Sequence, residues 1–534
     1  MALASTGEPG ADLLERLERG GAHGATLTVI DRDGDTERTS FAAVMERGER
    51  IARGLRDAVG PADTVGVVLS SSIDCAASLI GVLRAGLTLA SFPARARAMS
   101  VEQHALQVGT LCAATGAGVL LADRDTLAKL TGLPVRALPF DALDSAGATA
   151  ALPDRPGKLV QFTSGSTSAP KGIQLPLDRV GTHLGALIER FGLRPGEAVS
   201  SWLPLSHDMG LIGAFFTTWA AGAHLTLIDP QVFVWDPSIW MRTCAETSTV
   251  LTWGPNFGFM LAARTARRLS GLSLAPLRCC VVGAEPVQAP TLRTFAEATA
   301  PFGFRAAALT PGYGLAEATL GVCTALPGEM WRSARVDPVA LGEGDWREAQ
   351  RGTEIVSVGV PVPGVEVRLA PGASDVAEIQ VKGPSLLESY LGATLELADG
   401  EWLRTGDLGA LADGELYVCG RHDDVLIVAG RNLYAQDLEL TAAEHPAVRV
   451  GNCVAAQRDD GRYVIVAEWR RSADRELMQE ASSWIQQELT ARFGTGPADV
   501  AMIAPGTLPK TPSGKLARRA TAKLYHADEL QRVS

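Results

Sequence analysis

Apolar residues recur at helical spacing over Phe41 to Val59, and a short unbroken apolar run follows at Thr64 to Leu69. The first pattern predicts an amphipathic helix and the second a buried strand. Ile73 to Ala85 again carries helical spacing and stops before Gly86. Strands alternating with helices predict a parallel sheet covered by helices. The alternation continues through Val281 and Val282 to about residue 330. Near Gly359 the texture changes. Val365–Leu369, Glu378–Val381 and Glu415–Val418 are short alternating segments separated by turns, which predict an antiparallel sheet or barrel. Beyond residue 424 a smaller α+β unit is expected, with strands at Arg449–Ala455 and Tyr463–Ala467 and a helix at Arg475–Phe493. The polar cluster Arg421-His-Asp-Asp424 separates two apolar strands and marks a boundary. The expected organisation is therefore an N-terminal region 1–420, a hinge 421–424 and a C-terminal domain 425–534.

At 534 residues, with 46% hydrophobic and 20% charged positions, the chain has enough apolar sequence for several packed domains. A net charge of −11 argues against a duplex nucleic-acid binder, so any anion site must gather its positive field locally. The eight cysteines form no C-x-x-C pair, which points to a reducing compartment, the cytoplasm. The eight histidines form no H-x-x-x-H pair, which removes the commonest zinc-hydrolase pattern. The start of the sequence lacks the basic and apolar regions of a signal peptide. Gly210 to Ile228 is free of formal charge, yet its Gly-rich middle fits a buried helix, a turn and the strand His224–Ile228 better than a membrane span.

Four segments carry candidate chemistry. Gln161-Phe-Thr-Ser-Gly-Ser-Thr-Ser-Ala-Pro-Lys-Gly172 places hydroxyls, Gly165 and Lys171 after an apolar strand, a composition suited to a polyphosphate. It is not a Walker A loop, because Pro170 and Gly172 occupy the positions of the second glycine and the magnesium-binding hydroxyl. Ser168 and Lys171 also match S-x-x-K, but the companion K-T-G is missing. Thr310-Pro-Gly-Tyr-Gly-Leu-Ala-Glu317 offers an aromatic face at Tyr313 and a carboxylate at Glu317 that suits a phosphate site only through a divalent cation. Asp407, on a Gly turn, can accept ribose hydroxyls, and Arg421 follows nearby. Leu508-Pro-Lys-Thr-Pro-Ser-Gly-Lys515 puts a lysine on a mobile base close to the end of an acidic chain. Each segment alone also fits a solvated turn or a basic tail.

Together, in this order, the segments resemble the adenylate-forming superfamily over residues 40 to 520, and within it the fatty acyl-AMP ligases. Ser201-Trp-Leu-Pro-Leu-Ser-His-Asp-Met-Gly-Leu-Ile-Gly213, Gly254-Pro-Asn-Phe257, Gly283-Ala-Glu-Pro-Val287 and Gly430-Arg-Asn-Leu-Tyr-Ala-Gln-Asp-Leu-Glu439 carry that closer likeness. Gly321 to Ser357 resembles the inserted segment of those ligases. Ser168, Ser206, Leu433 and Ala435 depart from the family pattern.

The resemblance implies an α/β fold. A large N-terminal domain would hold two helix-covered sheet subdomains and a β-barrel-like subdomain, followed by a small mobile α+β C-terminal domain. It implies ATP and Mg2+, a carboxylic acid substrate, and transfer to an acyl carrier protein phosphopantetheine or to CoA. It assigns Lys515, His207 and Glu317 to catalysis, with Glu317 on the metal. It assigns Thr163, Ser164, Gly165, Ser166, Thr167, Lys171, Ala284, Glu285, Gly312, Tyr313, Gly314, Asp407, Arg421 and Lys515 to ATP, and Asp423 to the hinge. Trp202, Asn256, Phe257 and Gly314 are its candidate acyl-pocket positions. The rival readings are an acyl-CoA synthetase, a non-catalytic nucleotide-binding relative, and a serine acyltransferase using Ser168 and Lys171.

Overall fold

The computed structural model describes residues 11–59, 64–96, 99–144, 148–153, 157–162, 171–372, 374–393, 401–470, 475–510 and 516–533. Two large sheets dominate it. The seven-stranded sheet runs in the order Ser389–Tyr390, Gly172–Pro176, Lys158–Phe162, Thr88–Phe92, Thr64–Val68, Val119–Ala122, Arg136–Pro139. Its interior pairs are parallel, and Gly172–Pro176 and Ser389–Tyr390 close one edge antiparallel. The nine-stranded sheet is parallel from Leu309–Gly314 across Cys279–Gly283, Leu251–Pro255, Ala198–Ser201 and His224–Ile228 to Thr26–Ile30. Antiparallel strands flank it on both sides. Phe41, Phe215 and Trp219 pack within the main core, with Phe41 stacked on Trp219 at 4.4 Å.

The expected elements form with small shifts at their ends. The helices span Phe41–Ala58 and Ile73–Arg84, capped by the Ser40 and Ser72 hydroxyls. Gly210 to Ile228 is not a regular helix. A wide π-turn runs over Met209–Phe216, continues as a short helix at Thr217–Ala220 and leads to the strand His224–Ile228. The Thr217 hydroxyl donates to the carbonyl of Ile212, five residues back, which matches the wider turn. Among the described residues no helix is long and apolar enough to cross a membrane.

The antiparallel region is a four-stranded sheet in the order Glu366–Leu369, Val376–Lys382, Leu403–Ala412, Glu415–Arg421. The segment expected as an insertion forms the strand Gly321–Thr324, which lies between Leu309–Gly314 and the edge strand Val360–Pro361, a hairpin of Ser333–Val336 with Thr353–Val356, and the helix Pro338–Glu343 between the hairpin strands. From Val425 onward comes a hairpin, then a sheet of Val448–Gln457, Tyr463–Trp469 and Asp499–Ile503, with helices Ala435–Ala443, Arg475–Phe493 and Arg518–His526. These elements pack around apolar clusters of their own, including Leu438, Tyr463, Ile465, Trp469 and Ile485. All eight cysteines are buried and unpaired, and burial pushes each thiol up, Cys112 to about 11 and Cys75 to about 12.

Candidate active site

Parallel strands release their C-terminal ends on one edge of a sheet, and loops there gather chemistry. In the nine-stranded sheet, Pro255 lies opposite Gly283 and Val282 opposite Pro311. Ala284-Glu285, Gly312–Glu317 and the Asn256 turn therefore emerge side by side. Ala198–Ser201 ends just before Trp202 and the His207 loop. Lys158–Phe162, in the other sheet, leads toward Thr163–Thr167. Buried Gln161 joins the two sheets at this point: its amide donates to the carbonyl of Ser206 at 2.6 Å and its side-chain oxygen accepts from Ser91. Thr163, Ser164, Gly165, Ser166, Thr167 and Lys515 lie outside the described residues.

The ribose-type cluster is assembled from distant parts of the chain. Asp407 and Arg421 face each other across an antiparallel pair. Arg421 Nε donates to Asp407 Oδ1 at 2.9 Å, and the Tyr313 hydroxyl donates to Asp407 Oδ2 at 2.6 Å. Burial, followed by the Asp407 charge, pushes the Tyr313 phenol well up, so it remains a donor. Asp407 thus already accepts two charge-assisted or strong bonds of the kind a nucleotide ribose would offer.

Glu317 stands on a 3₁₀ turn after the strand Leu309–Gly314. Burial pushes its carboxyl up, and the neighbouring Asp208 carboxylate adds to this, while Tyr390 and Arg421 act the other way. The Tyr390 hydroxyl donates to Glu317 Oε1 at 3.1 Å. Lys171 lies 5.7 Å from the centre of the same tyrosine ring. Glu317, in a partly desolvated corner with the Asp208 charge near enough to be felt, offers a hard oxygen donor of the kind a divalent cation takes. His207 opens the π-turn, with Nδ1 2.7 Å from Asp208 Oδ1.

The remaining expected positions are brought close but are otherwise engaged. Ala284 adopts a left-handed φ of 64°, and Glu285 Oε1 accepts from the Phe257 N–H at 2.6 Å. Asn256 is buried and spans the same loop, donating to Thr291 and accepting from the Gln288 N–H. Trp202 is 4% exposed and stacks on Phe233 at 3.7 Å. Phe257 is 37% exposed and meets the Trp202 ring edge-on. Gly314 is exposed and admits no side chain: a Cβ there would lie 1.8 Å from the Leu320 carbonyl oxygen. Of the four acyl-pocket positions, Trp202 is engaged in packing and Asn256 in hydrogen bonding, whereas Phe257 and Gly314 keep exposed surface.

At the expected hinge, Asp423 pairs with Arg519 at 3.0 Å. Arg518 grips Glu439 with two bonds of 2.7 Å and Asp424 with a third of the same length. Asp424 is thereby tied to the C-terminal elements, while Arg421 is tied to Asp407. The helix Pro338–Glu343 meets the C-terminal unit directly, since a Cβ on Gly342 would lie 2.3 Å from the Asn432 carbonyl oxygen.

The family model for AMP-binding enzymes matches residues 18–391. The chain belongs to the AMP-binding enzyme family. Adenylate-forming activation of an acid is thus its reaction class. A 4-hydroxyphenylalkanoate adenylyltransferase of Mycobacterium tuberculosis is 31% identical to this AMP-binding enzyme over 98% of the chain and 92% of the relative. The long-chain-fatty-acid–AMP ligase FadD26 of Mycobacterium marinum is 29% identical over 94% of each. A solved structure from a study of fatty acyl-adenylate ligases of E. coli and L. pneumophila superposes with a TM-score of 0.89 at 27% identity, covering 97% of this chain and 98% of that one.

Sequence reasoning missed Gln161, Asp208 and Tyr390 as site residues. Asp208 adjoins His207 and could have been drawn from the same motif. Gln161 opens the first candidate segment, but its partners Ser206 and Ser91 lie far off in the chain; Tyr390 lies in no candidate segment and is brought in by strand pairing.

Proposed function

We propose that this enzyme joins a carboxylic acid, fatty or related, to the AMP moiety of ATP and then passes the acyl group to the phosphopantetheine thiol of an acyl carrier protein. The observation that carries the reading is the convergence of Glu317, Tyr313, Asp407 and Arg421 beside Lys171 at the C-terminal ends of the strands.

In the first step a carboxylate oxygen bonds to the α-phosphorus, the bond from that phosphorus to the β-bridging oxygen breaks, and pyrophosphate leaves. In the second, the thiol sulfur bonds to the acyl carbon, AMP leaves with the bond electrons, and the thiol proton passes to solvent. The chain's task is to hold two anions together. Asp407 and Arg421 bind the ribose, with Tyr313 and the Ala284–Glu285 turn flanking the adenine. Lys171 and the Thr163–Thr167 loop hold the outer phosphates. His207 stands by the acid carboxylate. Lys515 meets the α-phosphate as charge accumulates there. Glu317, with Asp208 nearby, would hold Mg2+, which supplies neutralising charge to the phosphates. Asp423 serves as the pivot between the two half-reactions.

Transfer to a carrier rather than free CoA rests on the likeness of Gly321–Ser357 to the inserted segment of fatty acyl-AMP ligases; the helix Pro338–Glu343 of that segment touches Asn432 in the C-terminal elements. Acid-dependent pyrophosphate exchange across a panel of acids tests the first half. Lys515→Ala should lower it by about 10²–10³ while ATP still binds; near-normal exchange removes Lys515 from the reaction. Incubation with ATP, acid and either carrier or CoA tests the second half, and rapid acyl-CoA formation assigns the enzyme to the CoA synthetases.

A further inference from the structure

The segment Ser385–Leu391 is strapped to both halves of the anion site. At its start, the carbonyl of Ser385 accepts from the Thr319 hydroxyl at 2.6 Å, and the Leu387 N–H donates to the carbonyl of Glu317 at 2.7 Å. Arg179 fixes the middle by donating to the carbonyls of Leu386 and Leu387. At its end, Ser389 and Tyr390 pair with Gln174 and Ile173, and the Leu391 N–H donates to the carbonyl of Gly172 at 2.8 Å. One short stretch therefore ties the backbone of the candidate metal carboxylate to the residue following Lys171. Tyr390 repeats this link with its side chain: its hydroxyl holds Glu317 Oε1 and its ring lies under the Lys171 ammonium.

We propose that Tyr390 is a positioning residue for the adenylation half-reaction, fixing the Glu317 carboxylate through its hydroxyl and the Lys171 ammonium through its ring. This rests on the function proposed above. A carboxylate on two rotatable bonds samples orientations that are useless to a cation with a fixed coordination shell. A hydroxyl donor on one oxygen narrows that range to the orientations that keep the bond. An ammonium over an aromatic face is likewise held by the ring's negative face. Because both contacts leave the same ring, the separation of cation-binding and phosphate-binding groups is set by one rigid side chain. Partners that orient a metal ligand typically govern metal affinity or activity by about 10–100-fold.

Tyr390→Phe deletes the hydroxyl and keeps the ring, whereas Tyr390→Leu removes both. Mn2+ binding in the presence of pyrophosphate, followed by the electron paramagnetic resonance of free Mn2+, reads the metal corner without catalysis. Calorimetric titration with AMP reads the ribose and adenine side without metal. Tyr390→Phe should weaken Mn2+ binding and raise the half-saturating Mg2+ in pyrophosphate exchange by about 10-fold or more, with AMP affinity and Tm unchanged. Tyr390→Leu should additionally raise the KM for ATP. Unchanged Mn2+ binding in Tyr390→Phe, or parallel losses of AMP affinity and Tm, overturns the proposal. If Mn2+ binding responds as expected but no acid supports exchange in the wild-type enzyme, the positioning role stands and the proposed reaction falls.

Discussion

The corner of Glu317, Tyr390 and Lys171 and the aromatic wall around Trp202 lie at the same strand ends, and both held expected site residues. In the wall, Trp202 stacks on Phe233 and meets Trp240 edge-on, and Trp202, Phe233 and Trp240 are nearly sealed from solvent. In the corner, polar groups from three separate segments converge while Lys171 stays exposed. Packing uses up the surface of a side chain. Chemistry requires that part of that surface be left over. Motif membership does not distinguish the two, but burial together with hydrogen-bond accounting does.

The contrast can be broken by substitution. Trp202→Ala should cost about 3–5 kcal/mol of stability, the range for emptying a buried indole site, in urea denaturation. If stability holds while acid preference shifts, Trp202 belongs to the acyl pocket after all. Glu317→Gln is nearly isosteric. It should lower pyrophosphate exchange by about 10²–10³, as loss of a preorganised charge contact does, with its melting temperature near that of the wild type.

Behind the corner, buried His183 accepts from the Gly321 N–H through Nε2, and its Nδ1 meets Ser385 Oγ. Burial holds its imidazole down at about 4. Below an unfolded value of about 6.5 the unfolded chain takes up a proton that the folded chain refuses, so stability falls as pH drops from 6.5 toward 4. At pH 5.5 the loss from this group should be about 1.4 kcal/mol, and His183→Gln should flatten the slope of Tm against pH. The smallest effect belongs to Arg519→Ala. Its partner Asp423 is exposed, and such surface pairs contribute about 0–1 kcal/mol. Denaturation should barely change, whereas Arg518→Ala, which strands buried Glu439, should be clearly destabilising.

Sequence period was sufficient for the architecture where the pattern was long or strict. The helix Arg475–Phe493 and the strand His224–Ile228 match their expected bounds. The π-turn at Met209–Phe216 was not legible, because an all-apolar stretch has no period to betray a wider turn. Tyr313, Asp407, Arg421 and Glu317 were legible because each sits in a motif with glycine or charge nearby. Tyr390 was not, because its partners are 73 and 219 residues away and are brought in by pairing of Ser389–Tyr390 with Gly172–Pro176. The committed role of Asn256 was hidden for the same reason: Thr291 and Gln288 approach only once two parallel strands have aligned.

The eight buried thiols have a practical consequence. A thiol-bearing acceptor of the kind proposed would meet no cysteine on this protein's surface, so a stray mixed disulfide has nowhere to form. A single cysteine introduced on the exposed face of the Val425–Val428 strand, for instance at Ile427, would be the one reactive handle. A dye attached there would test whether the carboxyl-terminal elements move during turnover, as the proposed pivot at Asp423 requires.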